Sequence, residues 1–215
     1  MSRLRFTIST SLDGYVAGPD QTREEPLGRG GEGLHEWVVR LRSWREAHGL
    51  EGGEVNRSDG LLCESTANVG ATIMGRGMFG GGPGPWDAAN PWRGWWGEEP
   101  PFKHPVFVIT HHGRERLEFD NGTSFTFVTD GIESALEQAR SAAGGRDVAL
   151  GGGADVANQY LAAGLIDEME LHVVPILLGG GERLFEGVGT DLHGLELVRT
   201  VAGDGVVHLK LARRA

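Results

Sequence analysis

The stretch "VALGGGADVANQYLAAGLIDE", residues 148–168, decides how this chain is read. Val148 to Leu150 form a short apolar run that enters Gly151, Gly152 and Gly153. From about Ala154 or Asp155 the spacing turns helical, with Val156, Tyr160 and Ala163 on one stripe and Gly164 as the stop. Ordering consecutive glycines is entropically unfavourable. One reason to place them here is a tight strand-to-helix turn. The other is a ligand that comes close to the backbone: a helix N-terminus offers unpaired N–H groups and the positive end of the helix dipole, which suits a phosphate. The spacing is not G-x-G-x-x-G, and no G-K-[ST] follows, so neither a Rossmann fingerprint nor a P-loop is supported.

Two further junctions share this logic. "VGATIMGRGMF" carries an apolar strand, Val69 to Met74, into Gly75 and Arg76, where a guanidinium can fork onto a phosphate. "VFVITHH" carries Val106 to Ile109 into Thr110, a neutral donor, and His111, a potential cation. Taken singly, each junction reads equally as a turn or a solvated loop. Ligands of open α/β sheets bind at the carboxyl ends of strands, so three such ends on one sheet edge point to one ligand with several phosphates. The paired histidines lack acidic or cysteine partners at ligand spacing, so no metal is expected.

The rest of the chain supplies the sheet. Arg3 to Ser9, Phe125 to Val128 and Met169 to Val173 read as strands, and Leu195 to Val201 pairs with Val206 to Ala212 around Gly203-Asp204-Gly205. Leu34 to His48 and Ile132 to Ala143 read as helices, and residues 20–33 and 49–60 as loops. The count is eight strands and about four helices, an α/β fold with a mixed eight-stranded sheet flanked by helices and a C-terminal hairpin, in one domain spanning residues 1–215. Between Gly80 and Pro105, breakers are too dense for a regular element, yet the segment holds Trp86, Trp92, Trp95 and Trp96. These pack onto the body of the protein or a dimer partner, or form a lid over substrate.

Composition narrows the partners. A formal charge of -10 argues against nucleic acid or an anionic membrane, and any anion site must be built locally. No apolar run approaches the roughly 20 residues of a membrane helix, and "MSRLRFTIST" does not read as a signal peptide. A single cysteine, Cys63, allows no internal disulfide. The expectation is a cytoplasmic protein.

In order, "SLDGYVAG", "GATIMGRGMF", "VFVITHH", "FVTDGIESAL", "LGGGADVANQYL" and "LIDEMELHVVPILLGGGERLF" resemble the dihydrofolate-reductase-like superfamily, in the branch of the C-terminal reductase domain of the riboflavin-synthesis deaminase-reductase. The resemblance covers nearly the whole chain. It implies an NADPH-dependent oxidoreductase that acts on a small heterocyclic (pterin- or pyrimidine-like) or carbonyl substrate, and a homodimer. It implies that Gly75, Arg76, Thr110 and His111 hold the adenosine 2′-phosphate side and that Gly151, Gly152, Gly153, Ala154 and Asp155 hold the pyrophosphate. "SLDGYVAG", Ala17 included, would border the nicotinamide, with Asp13 and Tyr15 as catalytic candidates for orienting substrate or supplying a proton. The family also implies a cis bond between the first two glycines of the run.

Two departures bear on substrate. Riboflavin-type reductases resemble "SLDGK" in the first loop and carry a glutamate directly before the glycines; here those positions are Tyr15 and Leu150. The L-P-W segment of true dihydrofolate reductases is absent, and Glu36 is the candidate acid for substrate, or a solvated residue on a helix face. The alternative to an enzyme is a non-catalytic nucleotide- or ligand-binding protein on the same fold.

Overall fold

The computed structural model describes residues 2–213. In chain order, β1 is Leu4–Ser11 and β2 is Tyr15–Ala17; a 3₁₀ turn, Gly31–Leu34, precedes α1 (Arg42–Ala47) and α2 (Arg57–Thr66). Then come β3 (Val69–Gly75), the single turn α3 (Arg76–Phe79), β4 (Pro105–Ile109), β5 (Leu117–Glu118) and β6 (Ser124–Val128). They are followed by α4 (Gly131–Ala142), β7 (Asp147–Leu150), α5 (Ala154–Ala162) and β8 (Glu168–Val174). The last strands are β9 (Glu182–Arg183), β10 (Leu195–Gly203) and β11 (Val206–Arg213). Nine strands form a mixed sheet in the order β10-β11-β8-β1-β7-β3-β4-β6-β5, and β2 pairs with β9 separately. The expected count of eight missed β5, a two-residue strand beside β6 that is too short to show a period.

The chain divides into two compact units, one of residues 1–6 and 68–166, the other of residues 7–67 and 167–215. In the first, β7, β3, β4 and β6 run parallel, and Leu4–Phe6 of β1 pairs parallel with β7. Strands buried on both faces read as continuous apolar runs, as "ATIM" and "VFVI" do. Met74, Phe79, Val106, Val108 and Phe125 are fully buried there, and Trp86, Trp92, Trp96 and Phe102 pack against them. Phe125 has aromatic rings around it at 5.0 Å (Phe79), 5.7 Å (Phe119) and 5.9 Å (Trp96 and Phe102). A buried phenylalanine contributes about 1.5–3 kcal/mol, so this cluster anchors a segment with no helix or strand of its own. The tryptophans therefore pack on the body of their own unit. A β-carbon on Gly80 would sit 2.6 Å from the Trp95 ring, which explains the glycine that begins the segment.

The second unit carries the hairpin β10–β11, with β11 antiparallel to β8. Its core joins Leu34, Trp37, Val38, Leu41, Val174 and Val206. The helix expected over Leu34–His48 is not continuous: the chain turns through residues 35–40, bridges at Leu41 and becomes helical only from Arg42. The apolar spacing of Trp37, Leu41 and Trp44 is real burial, made by turns. Helix α2 lies partly where a loop was expected. Asn56 caps it by accepting from Asp59 N–H, and the Asp59 carboxylate accepts from Ser43 N–H and Oγ at 2.8 and 2.6 Å. Polar anchoring of this kind leaves little apolar period to read. Among the described residues no helix is long and apolar enough to cross a membrane.

Inside this unit His172 and His208 face each other across β8 and β11. Their Nδ1 atoms lie 2.8 Å apart, Ser58 Oγ is 2.9 Å from His208 Nε2, and the Trp37 ring packs edge-on against both. One Nδ1 donates and the other accepts, and burial favours the neutral form of both rings. Burial lowers both proton affinities, that of His172 to about 3. The folded pKa lies below the unfolded value of 6.5, so the unfolded chain binds protons more readily. The pair's contribution is complete above about 6.5 and is lost as the pH falls from there. Melting temperatures measured from about pH 7 to about pH 4 should decline, and the decline should be shallower in the double substitution His172→Leu with His208→Leu. An equal slope in both proteins would assign the acid sensitivity elsewhere.

Candidate functional site

Three adjacent parallel strands of the first unit, β7, β3 and β4, end on one edge, and the residues that follow them converge. Gly75 pairs with Ile109, so β3 and β4 end level, and Leu150 pairs with Ile73, so β7 ends two residues earlier. Gly75 N–H donates to Gly152 O, and Gly151 N–H donates to Ile73 O, both at 2.8 Å. A β-carbon on Gly75 would meet Val156 Cγ2 at 2.9 Å, and one on Gly151 would meet Met78 Sδ at 3.2 Å. Glycine at position 75 lets the first turn of α5 lie against β3, and glycine at position 151 leaves room for Met78 of α3. Gly152 has φ +105°, a backbone region that only glycine enters freely. The cis peptide joins Gly152 to Gly153, the second and third glycines rather than the first two.

Helix α5 starts at Ala154 with Gly153 in the cap position and no side chain bonded to its first N–H groups. Asp155 is exposed in the first turn. A carboxylate there is favoured by the helix dipole but donates nothing to an anion, so only its backbone N–H is suited to that task. Arg76 leaves β3 beside this turn. Its Nη1 reaches Thr110 Oγ1 at 3.5 Å, and Thr110 Oγ1 accepts from His112 N–H at 3.1 Å. Arg76 Nε and Nη2 are buried with no hydrogen-bond acceptor. Burial, and then the neighbouring charge of Arg114, pull the Arg76 pKa below its ordinary value. A guanidinium with two sealed, unpaired donors is costly to leave so and is matched by an anion with several oxygens. His111 is exposed. The edge thus brings together Gly75, Arg76, Thr110, Gly151, Gly152, Gly153 and Ala154.

The second unit holds the other candidates. Asp13 sits in a clamp: Ser11 Oγ donates to it at 2.6 Å, Leu178 N–H at 3.1 Å and Gly179 N–H at 2.7 Å. The Ser11 hydrogen bond above all, with those of Gly179 and Leu178, holds the Asp13 carboxyl down to about 2 against the opposing effect of desolvation. Asp13 is therefore ionised at neutral pH. Ser11 Oγ accepts in turn from Tyr15 N–H at 3.0 Å, which fixes the start of β2. The Tyr15 hydroxyl accepts from Arg183 Nη1 at 3.3 Å, and the Arg183 guanidinium lies 5.4 Å from the Tyr15 ring centroid. Leu12, Asp13, Tyr15, Gly179, Arg183 and Phe185 line an open cavity of about 710 Å³.

Ala17 is buried in β2, paired with Glu182, and lies outside that lining. Glu36 is exposed in the turns after the 3₁₀ segment and also lies outside it. Arg183 and Phe185 were missed in the sequence because "GGGERLF" reads as a loop; the Glu182-Arg183 pair after the glycine run was the available signal. Among the described residues no group of three or more His, Cys, Asp or Glu is placed to hold a metal.

Residues 3–209 match the RibD C-terminal domain family. Among curated proteins, the uncharacterized protein YyaP of Bacillus subtilis (strain 168) is 29% identical over 119 residues, which covers 52% of this chain and 61% of that protein. Among solved structures, a putative riboflavin biosynthesis protein from Shewanella sp. PV-4 superposes over 100% of both chains at a TM-score of 0.63 and 22% identity. The diaminohydroxyphosphoribosylaminopyrimidine deaminase/5-amino-6-(5-phosphoribosylamino)uracil reductase of Thermotoga maritima superposes over 99% of this chain and 57% of that one, at a TM-score of 0.57 and 14% identity. The chain thus spans less than two thirds of YyaP and of the Thermotoga protein. The neighbouring strand ends, the glycine-led α5 and the family match over residues 3–209 place the chain in the RibD C-terminal domain family.

Proposed function

We propose that this chain is an NADPH-dependent reductase whose first unit holds the phosphates of the cofactor. One observation carries the reading: Arg76 presents two buried guanidinium donors without an acceptor, on the same edge as Thr110 and the uncapped start of α5. In a chain of formal charge -10 that is a locally built anion site. The residues fit the cofactor. The fork of Arg76 with Thr110 suits the 2′-phosphate, and the N–H groups at the start of α5 suit the pyrophosphate. The absence of a β-carbon at Gly75 keeps that helix end close to the strands.

When bound, the cofactor supplies a hydride to a carbon that must be held at about 3–3.5 Å from it. The chain's part is binding, orientation and the proton. The clamp on Asp13 keeps it an anion, so it orients the loop and a polar substrate group rather than delivering a proton. Tyr15, whose hydroxyl is held by Arg183, and water are the remaining proton sources. Arg183 and Phe185 beside the cavity suit a flat, polar heterocycle or a carbonyl compound. The pairing into a homodimer belongs to the same proposal. Its surface is not the bulk of the tryptophan segment, since Trp86, Trp92 and Trp96 pack on their own unit.

The substrate is not the ribosylamino-pyrimidine phosphate of the riboflavin-type reductases. The glutamate that those enzymes carry before the glycines is here Leu150, only 1% exposed, and the lysine is Tyr15. An apolar side chain in place of a buried polar partner removes both discrimination and rate. Assayed with that pyrimidine and NADPH, the protein should turn over well below about 1 per second. Turnover at or above that rate would return the chain to the riboflavin step.

The cofactor assignment is tested at Arg76. A charged hydrogen bond contributes about 1.5–3 kcal/mol, or roughly 10- to 150-fold in affinity. Fluorescence titration at fixed salt should show Arg76→Ala weakening NADPH by that factor while NADH, which lacks the 2′-phosphate, stays nearly unchanged. Equal losses for both dinucleotides would make Arg76 structural.

A further inference from the structure

The tryptophan segment touches the anion edge at one place. The Arg76 guanidinium lies 3.6 Å from the centroid of the Trp86 ring, and the Arg114 guanidinium lies 4.8 Å from the centroid of the same ring. Trp86 Nε1–H donates to His112 O at 2.6 Å, which holds the indole there. Arg114 is held by its Nη1, which donates to Trp92 O at 2.7 Å, and by the Phe127 ring 5.1 Å away. Two guanidiniums thus share one indole. Neither forms an ion pair with a carboxylate among the described residues, whereas their neighbour Arg93 does, with Glu98 at 3.3 Å. The Arg114 charge is felt at Arg76, and an anion between two such cations relieves their repulsion. Burial first, and then a neighbouring guanidinium, lower the pKa of each.

We propose that Trp86 and Arg114 complete a phosphomonoester site with Arg76, in which Trp86 covers the Arg76 fork until the phosphate arrives and Arg114 is the second cation. The cover follows from burial. Arg76 Nε and Nη2 are closed to solvent, so an oxygen reaches them only if the ring above them shifts. The second cation follows from charge. A phosphomonoester is close to a dianion with three acceptor oxygens, whose charge two guanidiniums match and one does not. A singly charged phosphodiester or carboxylate gains less from the pair. Arg114 lies outside every strand-end motif, and Trp86 lies in a segment with no regular structure, so neither is visible as a ligand residue from spacing. The source of the phosphate is either the 2′-phosphate of the dinucleotide, in which case this inference rests on the function proposed above, or a free or substrate-borne phosphomonoester.

Adenosine 2′,5′-bisphosphate, 5′-AMP and inorganic phosphate are the probes, read by indole emission and by calorimetry in the wild type, Trp86→Phe, Arg114→Gln and Arg76→Ala. The bisphosphate should change the indole emission of the wild type, and Trp86→Phe, which retains five tryptophans, should lose most of that change. Arg114→Gln keeps a donor for Trp92 O and removes the charge; it should weaken the bisphosphate by about tenfold or more and leave 5′-AMP unchanged. Arg114→Lys, with the charge but not the fork, should fall between, and a melting curve checks that each variant folds. If Arg76→Ala weakens the bisphosphate and Arg114→Gln does not, or if Trp86→Phe keeps the full emission change, this inference fails and the cofactor reading stands. If neither adenosine nucleotide binds but inorganic phosphate gives the Trp86-dependent change, the cofactor reading fails and the phosphomonoester site stands.

Discussion

The close approach of α5 to the end of β3 is the constraint on which the candidate site depends. Gly75 N–H bonds to Gly152 O, and the space that a β-carbon on Gly75 would need is taken by Val156. With any larger residue at Gly75, the first turn of α5 moves away from the strand ends, and its free N–H groups no longer face the donors that follow β3 and β4. Everything else on that edge follows from parallel pairing: β3 and β4 end level and β7 ends two residues earlier, so what leaves them arrives on one edge. A parallel sheet concentrates the starts of its following segments on one edge, and ligands exploit that edge.

The second unit uses a different device. Asp13 is held as an anion at neutral pH; two backbone N–H groups and the Ser11 hydroxyl donate to it. Its carboxylate ties the loop after β1 to the segment at Leu178 and Gly179, and the same Ser11 hydroxyl accepts from Tyr15 N–H. One ionised side chain thereby sets the geometry of a cavity whose other members, Tyr15, Arg183 and Phe185, face its opening. A carboxylate held this firmly supplies fixed charge and orientation, which cost no reorganisation during a reaction.

The strand ends were legible because their signals are local: an apolar run, a glycine, a donor. The α5 start, the α4 helix and the terminal hairpin were legible for the same reason. Residues 34–48 were misread because Trp37, Leu41 and Trp44 follow helical spacing while the backbone between them turns, and only tertiary burial of Leu34 and Trp37 decides that. Helix α2 was hidden because its anchors are the polar pairs Asn56–Asp59 and Asp59–Ser43. The candidate site was half legible. Arg76, Thr110 and the glycine run announce themselves, but Trp86, Arg114 and Arg183 reach their places through segments without a period, where only the folded chain shows what each side chain touches.

The most direct measurement is a crystal structure of the protein with NADP⁺. The account predicts the pyrophosphate at about 2.7–3.2 Å from the first N–H groups of α5, and the 2′-phosphate on the Arg76 fork and Thr110. A dinucleotide bound away from the ends of β7, β3 and β4, or one whose 2′-phosphate leaves Arg76 Nε and Nη2 without an acceptor, would contradict it.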